Sequence, residues 1–240
     1  MTDIKLIVSG SRLWELWIKR WGLSYLIDDD ILFDTFANPR VLFRNLRRFR
    51  NDIAKIRMVV ISHDHWDHTG GLWKLLELRP GLKVFLPSSA ESGLKDRVLR
   101  MGGQVIDCPV DLKLKEGVYL SGSIRGAYGG TPIIEQAMVL RSDKGLFILS
   151  GCAHPGIVAM VEHVKDSFHF PVYGVMGGFH LFEGCTDKAI RNIAVKLKES
   201  GVGLVAPTHC SGARAEKIFK EIFGSGYISS REGESISLHD

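Results

Sequence analysis

The sequence predicts a layered α/β protein in which helices cover mixed β-sheet. Three observations carry that prediction. Short apolar runs rich in Val, Ile, Leu and Phe recur between Gly, Asp, Asn and Pro, as buried strands do. In the second half of the chain these runs alternate with segments of helical periodicity, the pattern of helices laid against a sheet. Across the 240 residues no long Pro/Gly/Ser linker, low-complexity tract or internal repeat intervenes, so a single domain over 1–240 is expected.

In chain order, strands are expected at 4–8, 25–27 and 31–33, the last two joined hairpin-fashion by Asp28-Asp29-Asp30. Asn38-Pro39 opens a helix over 39–49, because proline is pre-set for the first helical position. A strand at 58–61 leads through a loop into a helix over 71–78. Strand 83–86, helix 88–101 and strands 104–106, 117–120, 133–140 and 145–149 follow. Helix 156–165, strand 171–175, helix 186–199, strand 202–206 and helix 211–223 make up the alternating half, with strands at 227–229 and 235–238 at the end. Helix 186–199 is the plainest of these: Thr186-Asp187 caps it, and Ile190, Ile193, Ala194 and Leu197 recur on one face. So many strands require two sheets.

Composition bounds the function only loosely. With 45% apolar and 24% charged residues the chain can bury a substantial core, which excludes disorder, collagen-like repeats and coiled coil. A net charge of +4, from 31 basic and 27 acidic residues, is too small to mark a nucleic-acid or membrane-surface protein. No apolar run approaches the roughly 18 residues that span a bilayer, and Met1-Thr2-Asp3-Ile4-Lys5 does not begin a signal peptide, so a soluble cytoplasmic location is expected. Cys108, Cys152, Cys185 and Cys210 form no C-x-x-C pair, so neither a disulfide framework nor a zinc knuckle is indicated.

Nine histidines are the exception to this ordinary composition, and three of them fall in His63-Asp64-His65-Trp66-Asp67-His68. The pattern H-x-H-x-D-H arises by chance in roughly one such sequence per thousand. It follows a strand and precedes a helix, where chemistry gathers in open α/β sheets. Zinc accepts imidazole nitrogen and carboxylate oxygen. His63 and His65, two apart in an extended loop, face the same way and can hold one ion. Asp67 and His68 can hold a second, and a pair of ions about 3.5–4 Å apart would share a bridging hydroxide as nucleophile. Candidate ligands from later strand ends are His154 in Gly151-Cys152-Ala153-His154, His180 in Gly177-Gly178-Phe179-His180 and His209 in Thr208-His209-Cys210. His163, His169 and His239 lack that setting and are read as structural.

With these residues the chain resembles the metallo-β-lactamase fold superfamily, whose H-x-H-x-D-H signature stands here as His63, His65, Asp67 and His68. Phe33-Asp34-Thr35 is similar to the superfamily's Asp-Thr-Gly element, whose Asp buttresses the metal loop, with Phe36 where Gly is expected. Gly22-Leu23-Ser24, Asp67 to Leu72, Glu135-Gln136-Ala137, Ser150 to Ile157, Gly177 to Leu181 and Thr208 to Gly212 are more narrowly similar to a subgroup. That subgroup is the 7,8-dihydropterin-6-methyl-4-(β-D-ribofuranosyl)-aminobenzene-5′-phosphate synthase-like proteins, and the matched blocks run from residue 22 to 212.

The resemblance implies a four-layer αββα sandwich of two mixed sheets flanked by helices. It implies His63, His65 and His154 as ligands of a first ion, with Asp67, His68 and His209 for a second; zinc is expected, with manganese or iron as alternatives. Where many members carry a bridging Asp after a strand-ending Gly, this chain has Cys152. Cys152 is a thiolate ligand or a small buried residue, and Glu135 a ligand or a residue supporting one.

A metal-dependent hydrolase is the expected activity, working through metal-bound hydroxide on a phosphoester or related small molecule, with Asp67 and His180 as catalytic residues. His180 could hold a phosphate, protonate a leaving group or simply bond within its loop. A transferase of methanopterin-type pterin biosynthesis, as the subgroup label implies, and a nucleic-acid-processing enzyme are the alternatives. The expected partner is a small, phosphate-bearing substrate, with nucleic acid and membrane disfavoured. Arg40, Arg44 and Arg47 at helical spacing, with Arg48 and Arg50, form either a solvated face or a phosphate-attracting one. Trp14, Trp17 and Trp21 either wall the pocket or staple a short helix to the core.

Overall fold

The structure is a computed structural model describing residues 2–12, 15, 20–88, 90–182 and 184–238. Two large sheets organise it. The first runs β15 (Ser235–Leu238), β1 (Thr2–Gly10), β2 (Gly22–Ile27), β3 (Ile31–Phe33), β4 (Met58–Val60), β5 (Lys83–Pro87) and β6 (Gln104–Cys108). It is antiparallel from β15 to β3 and parallel from β3 to β6. The second runs β14 (Leu204–Thr208), β13 (Val172–Gly178), β12 (Gly145–Ser150), β11 (Met138–Ser142), β8 (Val118–Leu120) and β7 (Leu112–Lys115), parallel across β12, β13 and β14 and antiparallel beyond. β9 (Ile124–Tyr128) and β10 (Thr131–Glu135) form a separate antiparallel hairpin.

Alternation along the strands builds the layers. On β12, Phe147 and Leu149 point between the sheets to meet Tyr25, Phe33 and Val60, while Leu146 and Ile148 point outward. The outward pair packs under α5 (Ile157–Phe168), α6 (Asp187–Glu199) and α7 (Gly212–Phe223), which contribute Met160, Leu197 and Phe219. On β3 the same rule sends Ile31 and Phe33 inward and Leu32 out. Leu32 packs beneath α1 (Pro39–Arg48), α3 (Leu72–Leu78) and α4 (Ser92–Arg100) through Leu42, Leu75 and Val98, while α2 (Trp66–Thr69) is a single turn between β4 and α3. Burying each such side chain stabilises the fold by about 1.5–3 kcal/mol. The result is the αββα sandwich expected from the sequence. The described residues hold no helix long and apolar enough to cross a membrane.

Two helix starts, those of α1 and α6, carry side-chain caps. Asn38 accepts from the Arg40 amide with Pro39 at the first helical position, and Thr186 accepts from the Ala189 amide. Four expectations need correction. The strand 133–140 is two strands, broken where Gln136 turns inward and donates to the carbonyls of Ile61 and Phe85. The helix expected from 88 begins at Ser92, because Ser88 is tied through its amide to Ser123 Oγ. Residues 227–229 make only an isolated bridge, Val205 with Tyr227. β7 and β9 were not anticipated; Lys113, Lys115, Arg125 and Gly126 interrupt them, so neither has an apolar run.

Candidate metal centre

Five strands end at one edge of the sandwich, and each delivers a polar residue there. Asp34 follows β3, residues 62–68 follow β4, residues 151–154 follow β12, Phe179-His180 follow β13 and His209-Cys210 follow β14. Asp34, Ala153, His180 and His209 have φ of +57°, +55°, +51° and +51°. Left-handed backbone at non-glycine residues costs of order 1–3 kcal/mol each and gathers where function over-determines it. Phe36, where the resemblance expects glycine, is also left-handed, with φ +57°, and keeps its ring fully buried.

Asp34 is the anchor. Its carboxylate accepts from the Ser62 amide at 2.7 Å, from Ser62 Oγ at 2.7 Å and from His68 Nδ1 at 2.6 Å. Because Ser62 Oγ gives its one proton to Asp34, His63 Nδ1, 2.8 Å away, must donate to that oxygen. His63 Nε2 is therefore left with a bare lone pair. Burial, and then the neighbouring His68, His154 and His65, hold His63 well below the usual histidine range, in keeping with a neutral ring. Burial acts against His68, but Asp34 and Asp67 together raise it well above that range. The fully buried Gly151 neighbours this network; a β-carbon there would collide with Ser62 Oγ.

The remaining donors converge in two groups. His63, His65 and His154 offer ring nitrogens within 4.8 Å of one another, and so do Asp67, His68 and His209 with one carboxylate oxygen. An ion bound tetrahedrally at about 2.0–2.1 Å keeps its nitrogen and oxygen donors about 3.3 Å apart. His63 Nε2 and His65 Nδ1 are 3.2 Å apart, and Asp67 Oδ2 lies 3.3 Å from His209 Nε2 and 3.4 Å from His68 Nε2. Both ring nitrogens of His154 are buried without a hydrogen-bond partner. His209 donates from Nδ1 to the Gly10 carbonyl at 2.7 Å, which leaves Nε2 facing Asp67 with no hydrogen bond of its own. Buried nitrogens without partners cost about 1–3 kcal/mol each unless something fills the space between them, so this donor set fits metal ions. Burial, with His180 and His65, lowers His154 to about 3, while His68 and His209 outweigh burial and keep Asp67 well below the carboxylate range.

Other expected residues are distributed differently. Cys152 reaches the centre, its Sγ 3.3 Å from His68 Nε2. Glu135 does not join either donor group. Its buried carboxylate accepts from the amides of Cys152 and Ala153, both at 2.9 Å, and of His154 at 2.8 Å, so it clamps the loop that carries them. His180 lies beside His154, ring centroids 4.6 Å apart, on the wall of a cavity of about 220 Å³. The arginine face lines a separate groove with Phe43 and Leu78, and no Arg or Lys among the described residues lines the histidine cavity. Trp21 is buried against His209 and Phe182, with centroids 4.9 and 5.6 Å apart; Trp14 and Trp17 lie outside the described residues, as does His239. His163 binds the Ser121 carbonyl and His169 ends α5, both away from the centre.

Three residues were missed in the sequence. Trp66 and Tyr128, 52% and 46% exposed, stand at the cavity mouth, and Phe182 forms part of its wall. Tyr128 touches the rings of His65, His154 and His180 at 5.2–5.4 Å. Its position depends on a hairpin turning at Gly129-Gly130, and that Gly-Gly pair was the available signal.

Residues 29–113 match a family model described as a β-lactamase superfamily domain. The chain is 29% identical to the 7,8-dihydropterin-6-methyl-4-(β-D-ribofuranosyl)-aminobenzene-5′-phosphate synthase of Methanocaldococcus jannaschii, over 90% of each chain. Among solved structures it is similar to Tm1679, described as a metal-dependent hydrolase of the β-lactamase superfamily, with 26% identity, full coverage of both chains and a TM-score of 0.79. The metallo-β-lactamase fold protein YhfI from Bacillus subtilis shares the fold at 13% identity and a TM-score of 0.71, covering 99% of this chain and 100% of that one.

Proposed function

We propose that the chain is a member of the metallo-β-lactamase fold superfamily, which it resembles in sequence and fold, and that it is a one-domain, metal-dependent hydrolase of a small molecule, working with two ions, zinc in the first instance. The convergence of two donor groups with unpartnered nitrogens on one cavity carries this reading. His63, His65 and His154 would hold one ion, and Asp67, His68 and His209 the other. Bound there, such ions polarise a carbonyl or phosphoryl oxygen and lower the pKa of water toward neutrality.

The protein's own groups do the rest. Asp34 fixes the ring of His68 directly and that of His63 through Ser62, so that His63 turns Nε2 toward His65 and His68 turns Nε2 toward Asp67. Asp67, held ionised, orients the attacking water. His180, on the cavity wall, protonates the leaving group. Trp21, Trp66, Tyr128 and Phe182 surround the cavity with aromatic surface, which excludes water and suits a planar ring. A phosphate on the substrate would be met by the ions, since the cavity wall supplies no arginine.

A second reading, carbon–nitrogen bond formation on a pterin, draws support from the similarity to the Methanocaldococcus jannaschii synthase over nine-tenths of both chains and from those aromatic walls. One experiment separates the two. Metal-loaded protein is incubated with phosphomonoesters, phosphodiesters, lactones and thioesters, and separately with an aryl amine and a dihydropterin whose 6-methyl carbon carries a diphosphate leaving group, so that the amine nitrogen displaces diphosphate, and products are identified by mass spectrometry. Metal-dependent hydrolysis supports the first reading and a coupled pterin product without hydrolysis the second; no turnover of any kind overturns both.

A further inference from the structure

The proposed reaction gives no task to Cys210, yet its thiol lies in the cavity wall beside that of Cys152, fifty-eight residues away in sequence. Cys152 Sγ, Cys210 Sγ and a ring nitrogen of His209 lie within 4.8 Å of one another, and all three residues are buried. Because Gly10 takes His209 Nδ1, the nitrogen free to ligate is Nε2, which also has Asp67 Oδ2 at 3.3 Å. An ion bound tetrahedrally by two thiolates at about 2.3 Å and an imidazole at about 2.0 Å holds these donors about 3.5–3.8 Å apart. The three atoms are thus within about 1 Å of ligating separation, a distance side-chain rotation can close. Packing against Trp21 and Phe182 asks only for a small apolar group at 210 and leaves His209 Nε2 unpartnered.

Resting on the reading of this cavity as a metal centre, we propose that Cys152 and Cys210 make the second ion position a sulphur site, in which both thiolates join His209 and Asp67 around a thiophilic divalent ion and take the place of His68, whose Nε2 stays beside Cys152 Sγ at 3.3 Å. Each thiol gives up its proton to solvent as the ion binds. The two positions are then chemically unlike. Three imidazoles at the first leave room for water or substrate, whereas the second is filled by protein donors. Thiolates favour Zn²⁺ over Mn²⁺ or Mg²⁺, so the second position selects its ion while the first accepts several.

Cobalt(II) tests this without reference to turnover. The full chain is loaded with Co²⁺ under reducing conditions, and bound cobalt and the near-ultraviolet thiolate-to-cobalt charge-transfer band are measured on the same samples. The wild type is expected to show the band, C210S about half its intensity, and C152S/C210S none, while the double variant still binds the ion of the imidazole position. Cobalt bound without a band, or a band unchanged in C210S, overturns the sulphur site alone; no bound cobalt overturns the metal centre with it. Alkylation mapped by mass spectrometry supplies a second measure in wild-type protein. Zn²⁺ should protect Cys152 and Cys210 from iodoacetamide but not the half-buried Cys185, and equal labelling of Cys152 and Cys210 with and without Zn²⁺ contradicts the proposal.

Discussion

Glu135→Gln examines how the protein holds its metal loop. In the native chain one carboxylate oxygen accepts two amides, Cys152 and Ala153, and the other accepts that of His154, with no water-exposed surface on the residue. Glutamine keeps a single oxygen. If that oxygen faces the pair of amides, the NH₂ group is driven against the His154 N–H, leaving two buried donors unsatisfied. Each costs about 1–3 kcal/mol, and relief of the carboxylate's desolvation returns part of the sum, so a net loss of about 2–4 kcal/mol is expected. His154 moves with its amide, so metal affinity should fall about 10–100-fold as well. Urea denaturation of metal-free protein reads the first effect and competition with a chromophoric chelator the second. A variant within about 0.5 kcal/mol of wild type and unchanged in affinity would refute the clamp.

Three further outcomes follow from the same geometry. In metal-free protein His63 and His154 are depressed and neutral when folded, so the unfolded chain binds more protons below about pH 6.5 and stability falls there by up to about 1.4 kcal/mol per pH unit for each. His68 has the opposite sign: its contribution is complete in acid and is lost as pH rises through its elevated folded value. Urea midpoints in the presence of chelator should therefore drop on the acid side, and a flat profile between about pH 7 and 5 contradicts the neutral-histidine cluster. Gly151→Ala forces a methyl group onto Ser62 Oγ and should cost about 1–3 kcal/mol by thermal melt, with weaker metal binding; an unchanged melt would show that the loop yields there freely. Tyr128→Ala, at a half-exposed hairpin residue, should leave stability within about 0.5 kcal/mol and metal content intact while raising KM for the substrate found, and an unaltered KM removes Tyr128 from recognition.

Much of the fold was legible because buried strands write their burial into short apolar runs: β3, β4, β5 and β12 were found close to their limits. β7 and β9 were not, since most of their side chains are half-buried or solvent-facing and they carry Lys and Arg, so neither holds a continuous apolar run. The expected donors lay at strand-to-loop junctions, and parallel strands bring such junctions to one edge. What a linear pattern could not express is which neighbour each carboxylate meets. Glu135 ends β10, two strands before the loop of residues 152–154, and nothing in its own vicinity signals that three amides from that loop will close on it. The arginine helix shows the converse. Its spacing was read correctly as one face, but α1 turns that face into a groove apart from the histidine cavity.

The central claim is that two donor groups hold two ions, and metal analysis of three proteins tests it most directly. After loading with Zn²⁺ and removal of excess, wild type should carry about two ions per chain, and His154→Ala and His209→Ala about one each, since each variant removes a ligand from a different group. Zinc absent from the wild type, or two ions retained in both variants, would contradict the account.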